Sequence, residues 1–304
     1  MLDPIGLFEV AATIPELGSP VLVQALDGFV DAGSATRLAR DHLLSVLDAE
    51  VIVTFDVDQL YDYRARRPEM LFMSDHWESY KAPQLAIHAV RDAAGVYFLL
   101  LTGPEPDSQW ERFAAAVAVL VERLGVRMLV GLNAIPMGVP HTRPGGVIAH
   151  ANSAELIAGY TNWVGTVLVP SSAGHMLEFR LGAGGLDSLG FAANVPHYLA
   201  NLEYPAAAIT LVECLARAGH LDLPMDALQV AAQLSRADID KQVEASEEVA
   251  AVVHALERQY DEIAAGRGSR LVADGASLPS AEELGAEFER YLSQQPGPDD
   301  TPPI

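Results

Sequence analysis

The sequence predicts an α/β protein: a mostly parallel sheet between helices, followed by a C-terminal helical extension. Three observations carry this. Near-continuous apolar runs recur at 20–26, 51–56, 97–101 and 127–132, the pattern of strands buried on both faces. Helical stretches separate several of them, in the order β-α-β and then β-β-α-β. From about Leu223 the chain turns rich in Glu, Ala and Gln, and residues 224–264 lack internal Gly or Pro.

Residues 1–19 read as a short lead-in with Pro15 and Gly18. The run 20–26 is a first buried strand, and Leu38, Ala39, His42, Leu43 and Val46 set the spacing of a helix over 32–47. Between them lies Asp27-Gly28-Phe29-Val30-Asp31-Ala32-Gly33, a strand-to-helix turn with two acids at the mouth of the sheet. Val51-Ile52-Val53-Thr54-Phe55-Asp56 is β-branched and reads as a second strand. The stretch Tyr61–Pro68 is too charged for core and too aromatic for a plain linker. Strands at Leu85–His88 and Tyr97–Leu101 are joined by a turn at Ala94-Gly95.

A helix over 107–124 places Trp110, Phe113, Val117 and Leu120 on one face, with Asp107 as its cap. Arg127–Leu132 is the next strand, and shorter strands are expected around Val147–His150, Val164–Val169, Leu177–Arg180 and Leu189–Ala193. Residues 205–218 form a helix ended by Gly219. In the extension, Val249, Val252, Val253, Leu256, Tyr260 and Ile263 repeat at three and four, a stripe made to pack on another helix. Gly266–Ser277 reads as a loop, Ser280-Ala281-Glu282-Glu283 as a capping box opening a last helix, and 295–304 as a flexible tail. The expected division is a core domain over 1–222, a helical extension over 223–294, and the tail.

Composition narrows the function. The 304 residues carry 41 acids against 19 Lys and Arg, a formal net charge of −22, which repels nucleic acid and anionic membrane. No apolar run reaches the roughly 18 residues of a membrane span, and no secretory signal is expected. Cys214 is the single cysteine; it excludes an intramolecular disulfide and a multi-cysteine metal site, and a reducing cytoplasm is the expected compartment. Neither lysine follows a glycine, so there is no phosphate-binding Gly-Lys-Ser/Thr. There is no Gly-x-Ser-x-Gly elbow, Gly182–Gly185 lacks the spacing of a dinucleotide fingerprint, and no two of the nine histidines stand four apart. No cofactor and no metal are expected.

What remains is a cluster defined by topology. Asp27, Gly28 and Asp31 follow the first strand, and Asp56 and Asp58 the second. Thr102, Gly103 and Glu105 follow the fourth, Asn133-Ala134-Ile135-Pro136 the fifth, and His141 and Arg143 come shortly after. Parallel strands would bring these turns to one sheet edge, where α/β folds bind ligands. Arg143 could hold an anion, His141 could exchange protons, and Asp27 or Glu105 could accept them. The same residues serve equally as tight turns, helix caps and ion pairs. Tyr61, Tyr63, Arg64, Arg66 and Arg67 form a second cluster, of the residue types that anchor interfaces. It reads either as a partner or self-association surface or as a solvated loop.

Several of these strings occur together and in order in one family. Asp27–Gly33, Tyr61-Asp62-Tyr63-Arg64, Leu101-Thr102-Gly103-Pro104-Glu105-Pro106, Pro140-His141-Thr142-Arg143-Pro144 and Pro196-His197-Tyr198 resemble the proteasome assembly chaperone 2 family, and most of all its actinobacterial branch. The resemblance spans roughly residues 20–220. It implies a three-layer α/β/α fold of the phosphorylase/hydrolase kind, like that of purine nucleoside phosphorylases, and a homo-oligomer, a trimer in number. It also implies a non-catalytic binding or assembly role with a protein partner. Assembly chaperones of this kind often dock through a C-terminal hydrophobic-Tyr-any residue tail, whereas this chain ends Pro302-Pro303-Ile304. The alternative is an enzyme acting on a nucleoside-like or carboxylate small molecule, of the phosphorylase, hydrolase or ligase type. That reading expects one deep cavity joining Asp27, Thr102, Asn133, His141 and Arg143.

Overall fold

The computed structural model describes residues 2–160 and 165–265. Among the described residues, ten strands and six α-helices follow in order. They are β1 (Phe8–Val10), β2 (Val21–Asp27), α1 (Ala35–Val46), β3 (Asp48–Phe55), β4 (Met70–Met73), β5 (His76–Tyr80), β6 (Ala86–Arg91), β7 (Tyr97–Pro104) and α2 (Trp110–Arg123). Then come β8 (Met128–Met137), β9 (Val147–Ala151), α3 (Ala173–Ala183), β10 (Asp187–Pro196), α4 (Pro205–Gly219), α5 (Asp226–Glu244) and α6 (Glu247–Ala264).

Eight strands form one sheet in the order β1-β3-β6-β7-β2-β8-β10-β9. β7, β2, β8 and β10 are mutually parallel. β6 runs against both β3 and β7, so β3 points the same way as the parallel four. The turns after β2, β3, β7 and β8 therefore share one edge, as the sequence predicts.

Alternation along the strands builds the layers. Val21, Val23 and Ala25 face a core closed by Ala39 and Leu43 of α1, Leu211 and Leu215 of α4, and Leu228 and Ile239 of α5. Leu22 and Leu26 face the other core, closed by Phe113, Val117 and Leu120 of α2 and by Leu177 and Leu181 of α3. Burying strands on both sides is what made them read as unbroken apolar runs. The result is a three-layer α/β/α fold with a mostly parallel sheet and C-terminal helices.

Four local expectations are corrected. Leu177–Arg180 lies inside α3, because Ser172 caps that helix by accepting from the His175 amide and Leu177 and Leu181 fall one turn apart on the sheet. Residues 165–169 form no strand. Asn133–Pro136 is not a loop but the end of β8, paired with β10 as far as Met137. Pro136 is tolerated there because the pairing of β8 with β2 ends at Gly131 and, on that side, only the bridge of Ala134 to Asp31 lies beyond it. Asp107 does not cap α2; its carboxylate accepts from the Asp62 amide and pairs with Arg66. Two elements are additional to the sequence reading: β1, and the hairpin of β4 and β5. The extension breaks at Ala245-Ser246 into two helices, and Ser246 caps the second. The predicted loop, capping box and tail beyond residue 265 lie outside the described residues.

Candidate functional site

The strand edge is built from residues that tie the protein's own elements together. Asp27 ends β2 and pairs with Arg40 of α1 at 2.5 Å. Asp31 caps α1, accepting from the amides of Thr36 at 2.8 Å and Arg37 at 3.0 Å. Glu105 does the same for α3, accepting from the Ala173 amide, and Gly28 lies against its carboxylate. Thr102 Oγ1 bonds His88 Nε2 at 3.0 Å. Gly103 has φ +116°, and a side chain there would run into the backbone of Gln84. Asn133 accepts from the Ala134 amide and contacts His175 Nε2 at 3.1 Å.

His141 and Arg143 form a clamp on the C-terminal helices. The ionised Asp240 of α5 can only accept, so His141 Nε2 donates to it at 3.1 Å. In the neutral ring Nδ1 then accepts from the Tyr198 hydroxyl at 2.6 Å, and that hydroxyl itself accepts from the His141 amide at 2.9 Å. Burial pushes the His141 imidazole below its ordinary value, against the upward pull of Asp240. Burial likewise pushes the Tyr198 hydroxyl up to about 12. Arg236 of α5 closes the knot by donating to the His141 carbonyl and to Asp240. One residue on, Thr142 donates to Glu257 of α6, while Arg143 grips Asp261 through two bonds at 2.8 and 2.7 Å and reaches Glu257 at 3.1 Å. The Arg143 bond holds the Asp261 carboxyl below the usual range, and bonds from His254 and Thr142 do the same for Glu257.

The candidates divide between two hollows. His141 and Arg143 line one of about 470 Å³ between the 138–146 loop, α4 and α5. Asp27, Gly28 and Glu105 line another of about 360 Å³ with Phe29, Arg66 and Trp110. Thr102 and Asn133 line neither. The single cavity that the enzyme reading expects is therefore not assembled by these five side chains.

The second sequence cluster forms the neck of the β4–β5 hairpin. Arg66 donates to the Glu105 carbonyl at 2.5 Å, pairs with Asp107 at 2.7 Å, and lies 4.6 Å over the Tyr61 ring. Tyr63 meets Tyr61 edge-on at 5.0 Å and donates to Asp58, a bond that raises its hydroxyl to about 12. The Arg64 amide is capped by Asp62, while the Arg64 and Arg67 guanidiniums have no ion-pair partner among the described residues.

Sequence reasoning missed the clamp's acceptors, Asp240, Glu257 and Asp261, which sit a hundred residues from the loop they hold. It also missed a polar interlayer beneath α3. Glu178 bonds His150 at 2.6 Å and lies against Gly131, where the missing side chain lets the carboxylate reach the sheet. Among the described residues, no group of three His, Cys, Asp or Glu could hold a metal ion, and no helix is long and apolar enough to cross a membrane.

Fold and site together define an α/β/α protein whose strand-edge residues hold its own helices and loops in place. The PAC2 family model matches residues 25–243, and the chain belongs to that family. The match takes in α5, beyond the limit near 220 that the motifs alone suggest. A Mycobacterium tuberculosis protein of unknown function, Rv2714, is 49% identical, with a TM-score of 0.82 over 86% of this chain and 92% of that one. The M. tuberculosis proteasome-assembly chaperone homologue Rv2125 is 26% identical, with a TM-score of 0.71 over 77% of this chain and 99% of that one. The Pyrococcus furiosus archaeal proteasome activator PbaB shares the fold at 16% identity, with a TM-score of 0.57 over 79% and 99%. No curated protein matches the chain.

Proposed function

We propose that this chain is a non-catalytic, protein-binding protein of the assembly-chaperone type, acting as a homo-oligomer, a trimer in number, in the cytoplasm. One observation carries the reading: each charged or polar candidate at the strand edge is engaged by a partner within the chain. Asp27, Asp31, Glu105, His141 and Arg143 hold helices, so the groups that could move protons or grip an anion are already spent. Family membership and the proteasome-assembly chaperone homologue among its relatives support the same class. The test is reconstitution of the same cell's proteasome from separate α- and β-subunits, followed by native electrophoresis with and without the full chain. The expected result is a changed rate of core-particle formation, with the chain present in an intermediate. Unaltered assembly, with the chain absent from every intermediate, contradicts the reading.

A second reading, small-molecule chemistry, retains one observation in its favour. The hollow at Asp27 and Glu105 sits on the ligand-binding edge of the sheet, and the Nε of Arg66 is buried without a partner among the described residues. A melting screen against nucleosides, nucleotides and dicarboxylates addresses it. A saturable rise in Tm that is lost in Glu105→Gln favours that reading over ours.

A further inference from the structure

The hollow at Asp27 and Glu105 holds three carboxylates of which the fold uses only one oxygen each. Asp27 Oδ1 pairs with Arg40, Glu105 Oε1 accepts from the Ala173 amide, and Asp107 Oδ2 accepts from the Asp62 amide and pairs with Arg66. The second oxygen of each makes no hydrogen bond among the described residues. Gly28 leaves one of them open, since a Cβ there would stand 3.2 Å from Glu105 Oε2. Phe29 and Trp110 line the same hollow of about 360 Å³. The indole N–H of Trp110 donates to the Pro106 carbonyl at 2.6 Å, so what its ring offers the hollow is apolar π surface. Phe29 is 64% exposed, on a turn fixed at one end by the Asp27–Arg40 pair and at the other by Asp31, which caps α1. An aromatic ring held in water on a fixed turn is preorganised for a partner.

Charge and shape select the occupant. Among the described residues Arg66 is the one base lining the hollow, and it is turned onto Asp107, the Glu105 carbonyl and the Tyr61 ring. Three acids against one base favour a cation, and the net charge of −22 draws cations from a distance. No group of three His, Cys, Asp or Glu among the described residues could hold a metal ion, so these carboxylates do not converge on one small ion. A guanidinium can span them. It is planar, carries five N–H donors and lies flat on aromatic rings, whereas an ammonium is a point charge with three donors. We propose that this hollow is a docking pocket for an arginine side chain projecting from a protein partner, with its guanidinium against Phe29 and Trp110 and bonded to the open oxygens of Asp27, Glu105 and Asp107. The proposal rests on the protein-binding reading above and names what the partner must present.

The experiment is calorimetric titration of the full chain with N-acetyl-arginine N-methylamide and with its uncharged citrulline counterpart. It is combined with native mass spectrometry of the chain with the same cell's proteasome α-subunits, and both are repeated on Phe29→Ser and on Asp27→Asn. The expected result is saturable binding of the arginine compound, tighter than the citrulline one by about ten-fold or more and weakened about ten-fold in each variant, with a weaker α-subunit complex in both variants. Equal affinity for the two compounds, or no saturable binding of either, overturns the pocket assignment and leaves the protein-binding reading standing. So does a Phe29→Ser chain that loses the arginine compound yet keeps the α-subunit complex at full strength. Free L-arginine binding more tightly than the capped compound overturns the assignment in favour of a metabolite. A parent that forms no α-subunit complex overturns the protein-binding reading and the proposal with it. Should one variant fail to fold, the other, with an unchanged circular dichroism spectrum, decides.

Discussion

Tyr198 and His141 show how a motif that reads as chemistry becomes architecture. One hydroxyl serves both a backbone amide and a ring nitrogen, while Asp240, which can only accept, fixes the tautomer that presents N–H to it. Tyr198→Phe removes that hydroxyl and leaves both groups of His141, a residue only 3% exposed, without their partner. The expected loss is about 1–3 kcal/mol in urea unfolding, with the m-value unchanged. Acid should act on the same knot. The neutral imidazole is the folded form, because burial lowers its pKa. As pH falls the unfolded chain takes the proton first, so this contribution is complete above about pH 6.5 and drains as pH drops through the lower folded value. Glu257 and Asp261, also lowered, keep their contribution above about pH 4 and lose it below. Gly103→Ala should cost about 1–3 kcal/mol from the positive φ, plus the clash with Gln84. The check is a lower Tm with no change in partner binding at a temperature where both forms are folded.

At the scale of elements, the C-terminal helices are the weakest layer. α4 buries eight residues, whereas α5 buries Leu228 and Ile239 and α6 only Val253. Much of what holds α6 is therefore polar, and it comes from Thr142, Arg143 and Tyr260. Hydrogen exchange should find α6 opening more readily than α4 at pH 7, and more readily still below pH 4. In Arg143→Gln, the protection of α6 relative to the intrinsic amide rate should fall at pH 7 toward its acid-pH value, while that of α4 is unchanged; an equal loss of protection in both helices would contradict a local clamp.

The same contrast explains what was legible in the sequence. Strands β2, β7 and β8 and helices α1, α2 and α4 announced themselves, because core burial imposes periods of two or 3.6 on apolar residues. The α3 region misled because beneath it the sheet carries Gln24, Gly131 and Gly190 in place of a full apolar stripe, which blunts the helical pattern. The hairpin was missed because its apolar residues alternate toward solvent on both sides, a pattern with no inside. Met70–Met73 and His76–Tyr80 around Ser74-Asp75 nonetheless carry a legible two-residue turn, with Ser74 at φ 52°. The candidate site was legible as a place and not as a function. Topology brought the loops to one edge, but only distant residues such as Asp261 decide that Arg143 grips a helix.

At the scale of the whole molecule, a chain of net charge −22 with its strand-edge charges paired internally carries, among the described residues, a charge-balanced and apolar hairpin. That distribution suits recognition of protein surfaces, and it gives salt a defined part. If copies of the chain meet through apolar surface, raising ionic strength should strengthen that association by screening the net charge of −22. A rise in oligomer mass between low salt and about 0.5 M would show it, and a fall would indicate a contact held mainly by ion pairs. The central claim is that this chain binds protein subunits and does no chemistry of its own. Native mass spectrometry of the full chain mixed with the same cell's proteasome α-subunits tests it most directly. The account predicts a complex of fixed stoichiometry that persists on dilution to low micromolar concentration. Free components only, in a preparation that turns over a metabolite at the Asp27–Glu105 hollow, would contradict it.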